Sequence, residues 1–220
     1  MTPEQRPQSN NSASTMPIGI PINPDRLDWT GDNPGIMLKE REDGPWSALA
    51  LFFRIAWSAH GRGTALMLYE HPDAALTVPD AHNVVITDNE PMARYLMQDF
   101  VARFGVFGEV AAFRAMRCLP MTHAATTGDP CGNRVTETVC SGNLAVELVW
   151  EELGKPTALE LPPELSGTGA HTMFSVLVES RRAAILVNGR QLPGKPVPRE
   201  QAGIQTTTAF LYYAESWLRA

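Results

Sequence analysis

The chain has 220 residues, 44% of them hydrophobic and 19% charged, and a formal net charge of -6. That length can bury about 70% of its unfolded surface, so a core needs neither metal nor disulfide. The acidic balance argues against a nucleic-acid partner, which calls for a basic patch or stripe.

No run of about 18 apolar residues occurs, so no membrane partner is expected. The longest stretch, Ala48 to Trp57, is interrupted by Arg54. The first ten residues lack the charged-then-apolar order of a signal peptide. Cys118, Cys131 and Cys140 are odd in number and form no CxxC pair, which fits a reducing, cytoplasmic setting better than a disulfide framework.

Residues 1–25 read as a disordered tail, because prolines scattered among Ser, Asn and Gln leave too little apolar surface to offset ordering entropy. Residues 26–220 are read as one antiparallel β domain. Ile36 to Leu38 suit a short strand. Pro45 to His60 is ambiguous: its Ala and Leu content favours a deeply buried helix, capped by Asp43 and ended by Gly61. The competing reading is a hairpin, with strands Leu49 to Ser58 and Thr64 to Tyr69 joined through two glycines.

Further along, Ala74 to Val78 and Val84 to Thr87 read as strands. Glu90 to Phe104 reads as a helix, with Asp88 or Asn89 as cap, Pro91 in the first turn and Gly105 after its end. The period then changes. Glu109 to Cys118, Arg134 to Cys140, Asn143 to Trp150, Thr172 to Glu179, Arg182 to Asn188 and Ile204 to Tyr213 suit strands, with turns at Ser141-Gly142, Ser180-Arg181 and Asn188-Gly189. Consecutive hairpins imply a mainly β fold: a curved antiparallel meander sheet or barrel with one or two helices. In outline this is similar to a lipocalin barrel, a likeness of architecture that fixes no function.

Strand parity supplies the candidate site. With a two-residue loop at Ser141-Gly142, one face of the hairpin holds Val135, Glu137, Val139, Leu144, Val146, Leu148 and Trp150. Glu137 is a lone carboxylate there, so its pKa rises unless a cation or donors meet it. Arg114 is the only charge on its own strand face and is the expected partner. An Arg and a Glu in one apolar cavity would hold the polar group of a small-molecule ligand. Trp150 and Tyr212 are further expected lining residues.

The alternative is an enzyme on the same scaffold, an isomerase, cyclase or hydrolase with Glu137 or His123 as general base. The histidines are dispersed without HxH or HExxH spacing, so no metal and no cofactor are expected. Cys131 lies in a Gly-rich loop with no base beside it in sequence, Ser141 lacks the GxSxG frame, and Gly167 to Ala170 reads as a plain connection. The partners left are a small-molecule ligand and a second copy of the chain.

Overall fold

The computed structural model describes residues 24–72, 82–108 and 116–220. Residues 1–23 of the expected tail, the expected strand at Ala74 to Val78, and most of the expected strand from Glu109, Arg114 included, lie outside these residues.

After a short turn at Pro24–Arg26, β1 (Leu27–Asp32) and β2 (Gly35–Lys39) run end to end. Both fill one slot between β3 (Trp46–Ser58) and the last strand, β15 (Ala209–Arg219). Pro34, which has no N–H to donate, marks the break between them. β3 then turns into β4 (Gly63–Glu70), and β4 pairs with β5 (Asn83–Thr87).

The preference for a helix over Pro45 to His60 is therefore corrected: the hairpin forms instead. β3 is buried on both faces, so it reads as a nearly unbroken apolar run rather than an alternating one. Its inference of deep burial holds, while cross-strand packing overrides the helix propensity of Ala and Leu.

The helix after β5 follows its sequence signals. Asn89 caps α1 (Glu90–Tyr95), its side chain accepting the Met92 N–H at 3.2 Å, and Pro91 lies in the first turn. The helical path continues through a π turn, Leu96–Phe100, and a 3-10 turn, Val101–Arg103. A short α2 (Gly105–Gly108) follows, and then β6 (Arg117–Pro120), the one parallel pairing of a described strand, beside β5.

The second half is a meander of β7 (His123–Asp129), β8 (Arg134–Ser141) and β9 (Leu144–Leu153). β10 (Thr157–Leu161) and β12 (Arg190–Gln191) flank β11 (His171–Val187), and β13 (Pro198–Gln201) forms a separate hairpin with β14 (Ile204–Thr207). The large sheet runs β6-β5-β4-β3-β1-β15-β11-β9-β8-β7, mainly antiparallel, and among the described strands it keeps two edges rather than closing into a barrel.

Two turn assignments are corrected. The β8–β9 loop is Gly142-Asn143, not Ser141-Gly142, because Ser141 pairs with Leu144 and Glu137 with Leu148. A slip of two residues preserves parity, so the face assigned to Glu137 stands. Ser180-Arg181 is no turn but lies inside the 17-residue β11. Before it β11 pairs with β15, and after it with β9. The fully buried Ser180 hydroxyl lies 2.7 Å from Glu151 O and 2.8 Å from Arg182 O, satisfying the backbone where the ladder changes partner. Asn188-Gly189 does turn the chain, with φ of 50° and 77°, the conformation of a type I′ hairpin.

The two halves of the sheet pack on each other. Ile36, Phe52, Leu66 and Leu68 on one side meet Val139, Leu148, Trp150 and Ile185 on the other in a shared core. The opposite face of the first layer, with Trp29, Leu49, Leu51, Phe53 and Met67, is covered by Met92, Leu96, Met97 and Phe100 of the helical segment. Each large side chain buried this way contributes about 1.5–3 kcal/mol.

All three cysteines are free. Thiol titration with an aromatic disulfide reagent in denaturant, without reductant, is expected to count three; a count of one would mean that a disulfide forms.

Candidate functional site

Glu137 is buried, 1% exposed, on β8. Its Oε1 accepts from Arg54 Nη1 at 2.5 Å and its Oε2 from the Thr126 hydroxyl at 2.7 Å. Arg54 also donates to Asp32 Oδ2 at 3.3 Å. Burial pushes the Glu137 carboxyl up, and Thr126 and Arg54 draw it back only in part.

This geometry depends on β1 approaching β3 closely. A Cβ at Gly31 would lie 2.0 Å from Arg54 O, so only glycine admits the contact. Glu137 thus has an arginine across the inter-sheet space, and that arginine is Arg54 of β3. Both carboxylate oxygens are engaged, and Arg54 and Asp32 line an open groove of about 890 Å³. The charged groups of that groove are largely paired already: Asp88 accepts from the Thr64 N–H, Glu90 from Arg94, and Arg54 serves two acids.

The other expected residues do not join Glu137. His123 is exposed at the start of β7, on the sheet edge opposite Cys140. Trp150 is fully buried in the inter-sheet core, where its indole N–H donates to Gly35 O at 3.1 Å. Tyr212 lies on the far side of the first layer and lines a different cavity.

That cavity, of about 320 Å³, is bounded by β2, β3, β10, β11, β13 and β15, by Phe104, Gly105 and Phe107, and by the loop carrying Leu165 and Gly167. It is at the small end of the roughly 300–1,000 Å³ typical of small-molecule sites. Its walls are mainly apolar: Met37, Leu51, Leu161, Met173, Phe210 and Trp217. Four polar side chains not expected from the sequence converge on it, Asn33, Arg199, Gln201 and Glu215.

Their partners are incomplete. The Tyr212 hydroxyl donates to Gln201 Oε1 at 2.6 Å, and Arg199 Nη2 donates to the same oxygen at 3.0 Å. The Arg199 guanidinium lies over the Phe210 ring, 4.7 Å from its centre. Trp217 Nε1 donates to Glu215 Oε1 at 2.8 Å. Seven buried side-chain polar atoms among the described residues complete no hydrogen bond, and three of them, Arg199 Nε, Glu215 Oε2 and Asn33 Oδ1, belong to this lining. Such atoms are costly and rare in folded proteins, so their convergence on one cavity is informative.

Burial governs the titration here. It pushes Glu215 up to about 8, with the Trp217 indole and the Asn33 amide offsetting part of it. Tyr212 is pushed up to about 12 by burial, and burial lowers Arg199. At neutral pH the cavity holds a protonated carboxyl, a protonated phenol and a guanidinium.

The β15 pattern conceals Glu215. Strict alternation from Phe210 and Tyr212 would send Ala214 and Ser216 inward. Ala214 instead has φ of 49°, and the pairing with β11 shifts by one residue there. Beyond this bulge Glu215 and Trp217 face the cavity. Arg199 and Gln201 share one face of β13, but a four-residue strand that opens on a proline gives little periodicity to find.

A second polar cluster lies behind Trp217. Buried Asp28 accepts from the Tyr95 hydroxyl, from Arg219 Nη2 at 2.6 Å and from His171 Nε2 at 3.1 Å. Burial alone would raise Asp28, but these donors together lower it; burial lowers His171, which is therefore neutral. A carboxylate accepts only, so the ring proton sits on Nε2, and Nδ1 accepts from the Thr168 hydroxyl at 2.9 Å. Gly167 to Ala170, read as a plain connection, thus supplies one member of this network. Each Asp28 oxygen and each His171 nitrogen has a partner, and the cluster pins β1, α1, β11 and β15 together.

Comparison with protein-family models, curated proteins and solved structures finds no match. No cluster of His, Cys, Asp and Glu suited to a metal occurs among the described residues, and no helix there is long and apolar enough to cross a membrane.

Proposed function

We propose that this chain binds a small, partly apolar molecule in the Arg199–Glu215 cavity, and does so in a reducing compartment such as the cytoplasm. The observation that carries the binding reading is the convergence of three unpartnered buried polar atoms on one apolar cavity. An apolar enclosure supplies affinity, and a few placed polar groups supply orientation. The three free cysteines support the compartment. General-base catalysis by Glu137 or His123 gains no support, since Glu137 is occupied on both oxygens and His123 is exposed on an edge strand.

A neutral fluorescent probe, N-phenyl-1-naphthylamine, tests the binding reading. Its fluorescence is expected to rise saturably with the wild-type protein. Leu161→Trp, which fills the cavity, is expected to abolish that rise at a stability cost of about 1–3 kcal/mol. Val187→Ile, in the other core, is expected to leave it unchanged. Absence of saturable binding, or equal binding by Leu161→Trp, would refute the reading.

A further inference from the structure

We infer that the molecule held in this cavity is a monocarboxylic acid with an apolar body, its carboxylate seated between Arg199 and Glu215. The inference rests on the cavity being a binding site, as proposed above, and adds the chemistry of the head group.

Arg199 sets the charge. Its guanidinium carries five N–H donors, yet the partners it meets are uncharged, the Gln201 amide oxygen at Nη2 and the Tyr212 hydroxyl, while Nε is buried without a hydrogen bond. No described carboxylate forms an ion pair with it, Glu215 included. A partly buried cation lacking an anion is unfavourable. A ligand that brings one negative charge and two acceptor oxygens relieves this, because the guanidinium fork matches a carboxylate.

Glu215 sets the magnitude of that charge. It is 1% exposed, its Oε1 takes the Trp217 N–H, the Asn33 amide lies beside it, and its Oε2 completes no hydrogen bond of good geometry. Since burial holds this carboxyl up to about 8, at neutral pH it carries a proton and is a donor as well as an acceptor. A protonated acid donates to a ligand carboxylate without repelling it.

Other head groups fit less well. An ammonium group would face Arg199. A hydroxyl would leave Arg199 uncompensated. A phosphate would bring up to two charges to one arginine. Away from Asn33, Gln201 and Tyr212, the wall is Met37, Leu51, Leu161, Met173, Phe104 and Trp217, a surface suited to an apolar chain or ring.

The test is displacement of N-phenyl-1-naphthylamine at pH 7 by octanoate, octan-1-ol and octylamine, which share a chain and differ in head group. Octanoate is expected to displace the probe about tenfold or more better than octan-1-ol, the size of one hydrogen bond to a charged group. Octylamine is expected to be weakest. Arg199→Met should reduce octanoate to the level of octan-1-ol while leaving octan-1-ol unchanged, and Arg199→Lys should restore part of the preference. Persistence of octan-1-ol displacement shows that a variant is folded, and the wild-type ranking stands even if neither variant folds. Equal displacement by octanoate and octan-1-ol, or a preference for octylamine, would overturn the carboxylate inference while the cavity reading survives. Failure of the probe itself to bind wild type would overturn the cavity reading first.

Discussion

Glu215→Gln is expected to stabilise this protein at neutral pH, although it alters a buried, hydrogen-bonded side chain. The folded carboxyl titrates at about 8 because of burial, against an ordinary value of 4.5. Between these values the unfolded chain releases a proton that the folded chain retains. Stability from this group is therefore complete below about pH 4.5 and is lost as pH rises through about 8, at roughly 1.4 kcal/mol per pH unit. By pH 7 the accumulated loss is about 3 kcal/mol.

Glutamine has no proton to release, and its amide oxygen can still accept the Trp217 N–H. Urea unfolding at pH 5, 6, 7 and 8 is expected to show the variant gaining about 2–3 kcal/mol at pH 7 and less at pH 5. The neutral buried His171 loses stability in the opposite direction, as pH falls through its unfolded value, but it is common to both proteins and cancels in their difference. A variant less stable than wild type at every pH would mean that Glu215 is ionised and paired in the folded state. The expected result also explains retention of the residue: a group that costs stability at working pH is usually kept for what it binds.

What the sequence revealed of this site was set by how long each pattern persists. The β8–β9 hairpin alternates over many residues, so Glu137 is placed inward even though the loop lies one residue further along than expected, which shifts the pairing by two. A shift of one would have inverted every side chain. The Arg54 partner was hidden by the helix preferred for Pro45 to His60. With β3 as a strand, Ala48, Ala50, Phe52 and Arg54 share a face, and an arginine opposite Glu137 follows from parity. The mainly β class, the capped helix at Glu90 and the Asn188-Gly189 turn were legible because each has a local cause. The cavity was not. Glu215 is brought inward by a one-residue bulge, Arg199 by a four-residue hairpin strand, and Asn33 by a break beside a proline. None of these leaves a periodic signal, and their convergence depends on strands far apart in the chain.

Removing Arg54 is expected to be more damaging than removing Glu137, although the two residues share one salt bridge. Arg54 is 29% exposed at its side chain and keeps Asp32 and water when Glu137 is lost, whereas Glu137 is 1% exposed and keeps only the Thr126 hydroxyl when Arg54 is lost. Arg54→Met therefore strands a buried carboxylate, which costs about 3–5 kcal/mol. Glu137→Gln leaves a solvated cation and an amide that can still accept from Arg54 or Thr126, so its cost is about 1 kcal/mol. The double substitution is expected to be milder than the sum of the two, with a coupling of about 0.5–3 kcal/mol, as for residues in direct contact. The Arg54→Met variant should also lose stability more steeply than wild type as pH rises, beyond the loss that Glu215 and the already raised Glu137 give wild type. Without the guanidinium, the already raised Glu137 carboxyl moves further up, so the deficit relative to wild type should be smaller at pH 5 than at pH 7.5. Urea unfolding of wild type, both single variants and the double variant at pH 5 and pH 7.5 reads all of this. Equal costs for the two single changes would refute the asymmetry, and strict additivity would show that the contact across the inter-sheet space contributes nothing beyond its separate halves.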